Sequence, residues 1–202
     1  MLKALNKVDV AGPAGRLDTI FVAAQGEASG VAVICHPNPL QGGTHTNKVV
    51  QTAAKALSQM GYACYCPNLR GVGDSEGEHD HGQGEVDDVI AVVEHAKTQH
   101  SGLPLALAGF SFGGFVAARA RARIESDKLL LMGVAVGKYP IPTPEVPADT
   151  LVIHGEEDEV IPMSAVLDWA RPQNLPVLVL PGAGHFFHGR LVQLAQMIQR
   201  CW

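Results

Sequence analysis

The sequence predicts an α/β fold, a mostly parallel central sheet with helices on both faces. Three observations predict it. Short apolar runs alternate with helical patterns along most of the chain. Two of the runs, Val31-Ala32-Val33-Ile34-Cys35 and residues 129–136, are apolar without alternation, as strands buried on both faces are. Finally, Gly109-Phe110-Ser111-Phe112-Gly113-Gly114 joins a strand to a helix, with glycines two residues either side of one serine. On so tight a turn, neighbours that crowd the serine must lack a Cβ, and the strain holds Oγ out above the sheet.

Each element follows in order. Residues 17–24 read as a strand of an opening antiparallel hairpin, and 26–30 as a turn. The 31–35 strand runs into the loop His36-Pro37-Asn38-Pro39-Leu40-Gln41-Gly42-Gly43. Thr46 or Asn47 caps a helix whose apolar positions Val49, Val50, Ala53, Ala54, Leu57 and Met60 keep a helical period, and Gly61 ends it. A strand over 62–66 precedes a polar, glycine-rich surface loop over 68–84. Val86, Val89, Ile90, Val93 and Ala96 then mark an amphipathic helix reaching about His100. The serine-bearing strand (103–108) and its helix follow, then a strand over 128–136 and a loop over 137–149 with four prolines. Strands at 150–154 and 177–180 enclose a short helix at 163–170. Phe187, Leu191, Leu194, Ala195, Ile198 and Cys201 form one face of a closing helix.

Composition narrows the function classes. The 202 residues suit one domain, 1–202, and 47% apolar with 17% charged residues is ordinary for a globular chain. A net charge of −5 and no basic block speak against nucleic acid or an anionic membrane as partner. No apolar run approaches a membrane span, and Met1 to Lys7 lacks the apolar stretch of a signal peptide, so a cytoplasmic location is expected. The four cysteines do not form a disulfide framework: Cys64 and Cys66 share one strand face, while Cys35 and Cys201 lie elsewhere, and all are expected as buried thiols. Glu78-His79-Asp80-His81 has chelating residue types but no third ligand, so a solvated loop and no metal are expected. Dimerisation through a sheet edge or the Cys201-Trp202 terminus has no support in the sequence.

A serine hydroxyl needs a base, ordinarily a histidine held by a carboxylate. Two later strand ends offer them. The loop after 150–154 reads His154-Gly155-Glu156-Glu157-Asp158-Glu159-Val160-Ile161-Pro162, and that after 177–180 reads Pro181-Gly182-Ala183-Gly184-His185-Phe186-Phe187. Chain order is therefore Ser111, Asp158, His185. Glu156, Glu157 and Glu159 compete for the acid, and His154 and His188 for the base. Acyl transfer also needs two N–H donors aimed at the developing oxyanion. Phe112, at the start of the helix, supplies one. Pro37 and Pro39 have no N–H, which leaves Asn38 or Leu40 for the other; Asn38 is favoured because it lies two past His36, as in H-G-x loops. His36 itself is expected as a loop anchor.

After residue 16 nearly the whole chain resembles an α/β-hydrolase, through the serine turn, the H-G-x-x-D-x-x-I/V-P segment and the G-x-x-H-F segment in this order. The resemblance implies Ser111, Asp158 and His185 as a catalytic triad that needs no cofactor. The H-P-x-P-L-x-G-G loop resembles that of small lidless bacterial hydrolases of carboxylesterase or dienelactone-hydrolase type. Dienelactone hydrolases resembling it use Cys as nucleophile, where this chain has Ser111. The N-x-R-G-x-G-x-S-x-G stretch over 68–77 matches a loop that is mainly structural in the family, so Arg70 and Ser75 are not expected to do chemistry. Only residues 137–149 stand where many relatives insert a lid domain, which predicts an open site for small, short-acyl esters. Leu40, Tyr139, Ile141, Ile161, Phe186 and Phe187 are candidates to line it, though the phenylalanines equally suit the core. Thioester or peptide-bond hydrolysis, a cofactor-free lyase or perhydrolase reaction, and a non-catalytic binding protein are the other readings.

Overall fold

Eight strands form one sheet in the computed structural model, which describes residues 6–202. They are β1 (Asn6–Gly12), β2 (Gly15–Val22), β3 (Gly30–Cys35), β4 (Tyr62–Pro67), β5 (Leu105–Phe110), β6 (Lys128–Met132), β7 (Leu151–Gly155) and β8 (Val177–Leu180). Their order across the sheet is β1-β2-β4-β3-β5-β6-β7-β8. The β1–β2 hairpin and the β2–β4 pair are antiparallel, and every other pair is parallel. The sequence-based reading of residues 1–5 as free of a leader lies outside the described residues.

Among the described residues five α-helices cover the faces: α1 (Lys48–Gln59), α2 (Gly84–Gln99), α3 (Phe112–Arg121), α4 (Met163–Ala170) and α5 (Leu191–Cys201). Strand alternation divides the core between them. Leu105 and Leu107 of β5 point toward α2 and α3, while Ala106, Ala108 and Phe110 point toward α1 and α5. All six residues of β3 and all six of β5 are buried, which explains why neither sequence alternates. From β3 the chain winds through α1 to β4 on one side, then returns through α2 to β5 on the other. Ligand crevices of open parallel sheets form at such a reversal, outside the carboxyl ends of the strands.

Several boundaries differ from expectation for local physical reasons. Asn47, not Thr46, caps α1: its Oδ1 accepts from the Val49 N–H at 2.9 Å. Strand β6 stops at Met132 rather than running to residue 136. Gly133 takes a φ of +50°, and Ala135 N–H donates to the Ser111 carbonyl at 3.2 Å. Val134 and Ala135 are therefore buried under the serine turn rather than in a strand. Phe187 precedes α5 instead of lying on it, and Cys201 is exposed rather than buried. Cys35, Cys64 and Cys66 are buried free thiols, and burial pushes their pKa values up. The 137–149 loop lies down along the α2/α3/α4 face. Tyr139 packs on Phe115 with ring centres 4.8 Å apart, and the Pro144 carbonyl accepts from Trp169 Nε1 at 3.1 Å. Among the described residues no helix is long and apolar enough to cross a membrane.

Candidate active site

The turn between β5 and α3 gives Ser111 a φ of +54° and a ψ of −116°. Few non-glycine residues adopt such a backbone, and those that do concentrate at functional sites. The two flanking glycines permit it. A Cβ on Gly109 would stand 2.1 Å from the Gly113 carbonyl oxygen. One on Gly113 would stand 2.3 Å from the Cys35 oxygen and 2.5 Å from that of His36. The second contact also shows where the loop after β3 begins: directly on the first turn of α3.

The structure brings Ser111, His185 and Asp158 together from the ends of β5, β8 and β7. His185 Nε2 lies 2.9 Å from Ser111 Oγ, and Nδ1 lies 2.7 Å from Asp158 Oδ2. An ionised carboxylate only accepts, so Nδ1 carries the proton and donates it to Asp158, leaving the Nε2 lone pair for the Ser111 hydroxyl. Burial pulls the Asp158 carboxyl up, but hydrogen bonds from His185 and the Ile161 N–H outweigh it and hold the group below its ordinary value. Oδ1 is fixed separately by the N–H groups of Val160 (2.9 Å) and Ile161 (2.7 Å).

The rivals for acid and base have other tasks. Glu156 Oε2 accepts from Gly182 N–H at 2.9 Å and Glu159 Oε2 from His185 N–H at 3.1 Å. Glu157 N–H donates to the Ala183 carbonyl at 2.9 Å. The acid loop thus grips the base loop at three points. No local pattern reveals this, because the side-chain partners lie 26 residues apart. His154 is fully buried, and its Nε2–H donates to the Ile161 carbonyl at 2.9 Å, 3.5 Å from Asp158 Oδ2. It holds the acid turn rather than the serine. Burial lowers its pKa against the pull of Asp158. His188 is exposed and lies in a turn, not on a helix.

On the opposite side, His36 is fully buried and anchors the loop after β3. Its Nδ1–H donates to the Pro37 carbonyl at 2.7 Å, and Nε2 accepts from the Leu69 N–H at 3.1 Å. Burial, opposed by the Pro37 bond, lowers its pKa to about 4, so the ring is neutral. A short 3-10 turn, Pro39–Gln41, follows, with Asn38 Oδ1 accepting from the Leu40 N–H at 2.9 Å. Leu40 N–H is therefore occupied, a correction to its candidacy as an oxyanion donor. The N–H groups of Asn38 and Phe112 donate no hydrogen bond among the described residues.

Next to this side, Arg70 forms a two-pronged pair with the buried Asp88 at 3.0 and 2.7 Å. Ser75 Oγ donates to the Asn68 carbonyl at 2.7 Å. His79 is not solvated as expected: it is half-buried, 2.7 Å from Glu85 Oε1, with its ring against Phe112. Asp80 Oδ2 accepts from the Gly84 N–H at 2.9 Å, at the start of α2. Among the described residues no three of His, Cys, Asp or Glu converge as metal ligands. Of the lining candidates, Phe187 and Ile161 belong to the core, whereas Leu40 and Phe186 are exposed.

Comparison with known proteins bears on the fold and the hydrolase class. The model of the serine aminopeptidase S33 family matches residues 26–143. A solved structure from Xanthomonas campestris, described as an α/β serine hydrolase without lid, is 35% identical with a TM-score of 0.92, covering 100% of this chain and 94% of that one. An α/β serine hydrolase homologue from Coxiella burnetii is also 35% identical, with a TM-score of 0.88 and coverage of 99% and 98%. An uncharacterized protein of Rickettsia prowazekii, RP471, is 30% identical over 205 residues, 93% of this chain and 84% of its own. The chain belongs to the serine aminopeptidase S33 family and is a serine hydrolase on a lidless α/β-hydrolase fold.

Proposed function

We propose that the protein hydrolyses small carboxylic esters through a Ser111–His185–Asp158 triad and an acyl-enzyme. The observation that carries the reading is the unbroken path of hydrogen bonds from Asp158 through His185 to Ser111. His185 Nε2 takes the Ser111 proton as Oγ attacks the ester carbonyl, and ionised Asp158 stabilises the imidazolium that forms. The N–H groups of Phe112 and Asn38 receive the oxyanion; among the described residues neither donates a hydrogen bond, and Phe112 stands at the positive end of α3. His185 then gives its proton to the departing alcohol, and the same ring activates water to release the acid.

The test is labelling with a fluorophosphonate probe, which reports an activated serine whatever the substrate. The expected result is stoichiometric labelling of Ser111 that is lost in Ser111→Ala and His185→Ala. Folded native protein that stays unlabelled would refute the reading. Esters, thioesters and amides of one matched acyl group then rank the chemistry, with ester turnover expected to lead. Peptide-bond hydrolysis is the second reading, favoured by the description of the matching family; faster turnover of amides than esters would select it.

A further inference from the structure

We propose that Phe186 is an aromatic platform for the leaving group, so that the enzyme prefers esters of phenols over esters of aliphatic alcohols. The inference rests on the serine-hydrolase reading above and names the substrate class of that site.

The turn carrying His185 holds two adjacent phenylalanines that meet opposite fates. Phe187 is fully buried between the sheet and the α1/α5 face, whereas Phe186 is 38% exposed. Phe187 achieves this with a φ of +51°, a backbone that bulky residues rarely adopt. Such conformations in bulky residues are a pointer to function when they adjoin a site.

Phe186 is also held rigid where it stands. Its ring meets His185 edge-on at 5.1 Å between ring centres, and meets Phe110 beneath it at 5.8 Å and 72°. His188 stacks on it at 5.7 Å and 20°. An exposed phenylalanine fixed by three rings is pre-organised to bind another apolar group, at little further cost in side-chain freedom.

The chemistry then decides which part of the substrate comes here. His185 protonates the departing oxygen, which must sit within hydrogen-bond reach of Nε2, about 3 Å. The group attached to that oxygen lies beside the imidazole, and Phe186 is the exposed ring packed against it. A phenyl ring bonded directly to the oxygen meets Phe186 in the edge or offset geometry that aromatic pairs favour. During acylation the Ser111 Oγ–carbon bond forms and the carbon–oxygen bond to the phenol breaks. The proton from Oγ passes through His185 to the phenolate, and the products are acyl-enzyme and phenol.

Phenyl acetate and hexafluoroisopropyl acetate test this, since their alcohols have similar acidity and both yield the same acetyl-enzyme. The readout is the ratio of their kcat/KM values, in native protein and in Phe186→Leu and Phe186→Tyr. Each protein is first titrated with the fluorophosphonate probe to count active sites. The expected native ratio favours the phenyl ester, falls about fivefold in Phe186→Leu and is kept in Phe186→Tyr. A native ratio near one, or a ratio unchanged in Phe186→Leu, would overturn the platform while leaving the triad standing. Loss of probe labelling in native protein would overturn both.

Discussion

Acid destabilises this protein through His36 by an amount that can be worked out. In the folded chain burial holds His36 neutral, with its pKa lowered from 6.5 to about 4. The unfolded chain binds a proton near the ordinary value, so below it the unfolded state holds more protons than the folded one. The stability carried by the neutral ring is therefore whole above pH 6.5 and is lost as the pH falls toward about 4. Over that full span the loss is about 3 kcal/mol, and between pH 7 and pH 5 it is about 2 kcal/mol. The variant to compare is His36→Gln, whose amide oxygen can still accept from the Leu69 N–H but does not titrate. Urea unfolding of both proteins at pH 7 and pH 5 gives four free energies. Native protein should lose about 2 kcal/mol more than His36→Gln between the two pH values. The remaining shifted groups, among them His45, His154, Asp18 and Asp158, are common to both proteins and cancel in the comparison. Equal losses would refute the argument, and with it the neutral ring that secures the Asn38 loop.

Two further outcomes follow from the same geometry. Gly113→Ala forces a Cβ against the Cys35 and His36 carbonyls, and should lower unfolding stability by about 2 kcal/mol or more with loss of probe labelling; native-like stability would mean that the loop is not seated there. Glu159→Ala releases the His185 backbone and should slow labelling about tenfold, a loss that Glu159→Gln restores because its amide oxygen can still accept; equal rates in all three proteins would leave Glu159 without a positioning role.

What was legible in the sequence is what local geometry requires. Ser111 betrays itself through Gly109 and Gly113, because a backbone that tight is impossible with side chains on either side. Asp158 and His185 follow strands whose apolar runs are plain, and a parallel sheet brings the ends of such strands to one edge. Contacts between distant loops were not legible. Glu156 and Glu159 look like rivals for the acid role until the base loop they bind is in view. The apolar stretch Val134-Ala135-Val136 reads as more strand, yet its first two residues are buried for another reason: the chain passes beneath the serine turn. His79 reads as solvent-facing because nothing near it in sequence announces Phe112.

The grip between the acid and base loops has a consequence for how activity is lost. Strands β7 and β8 form the last two strands at one margin of the sheet, and their following loops are cross-tied. Within the sheet their attachment runs through β6, in register only from Leu130–Leu151 to Met132–Ile153, with one further bond from Gly133 N–H to Ile153; outside the sheet, α5, which follows β8, packs on α1. Within the sheet the weaker seam thus lies between nucleophile and base, not between base and acid, and opening along it also parts α5 from α1. A partial opening along it carries His185 and Asp158 away as an intact pair, while β3 to β6 and Ser111 stay folded. On warming, reactivity of the serine should disappear before the central strands lose their protection from hydrogen exchange, and cooling should restore it without refolding of the core.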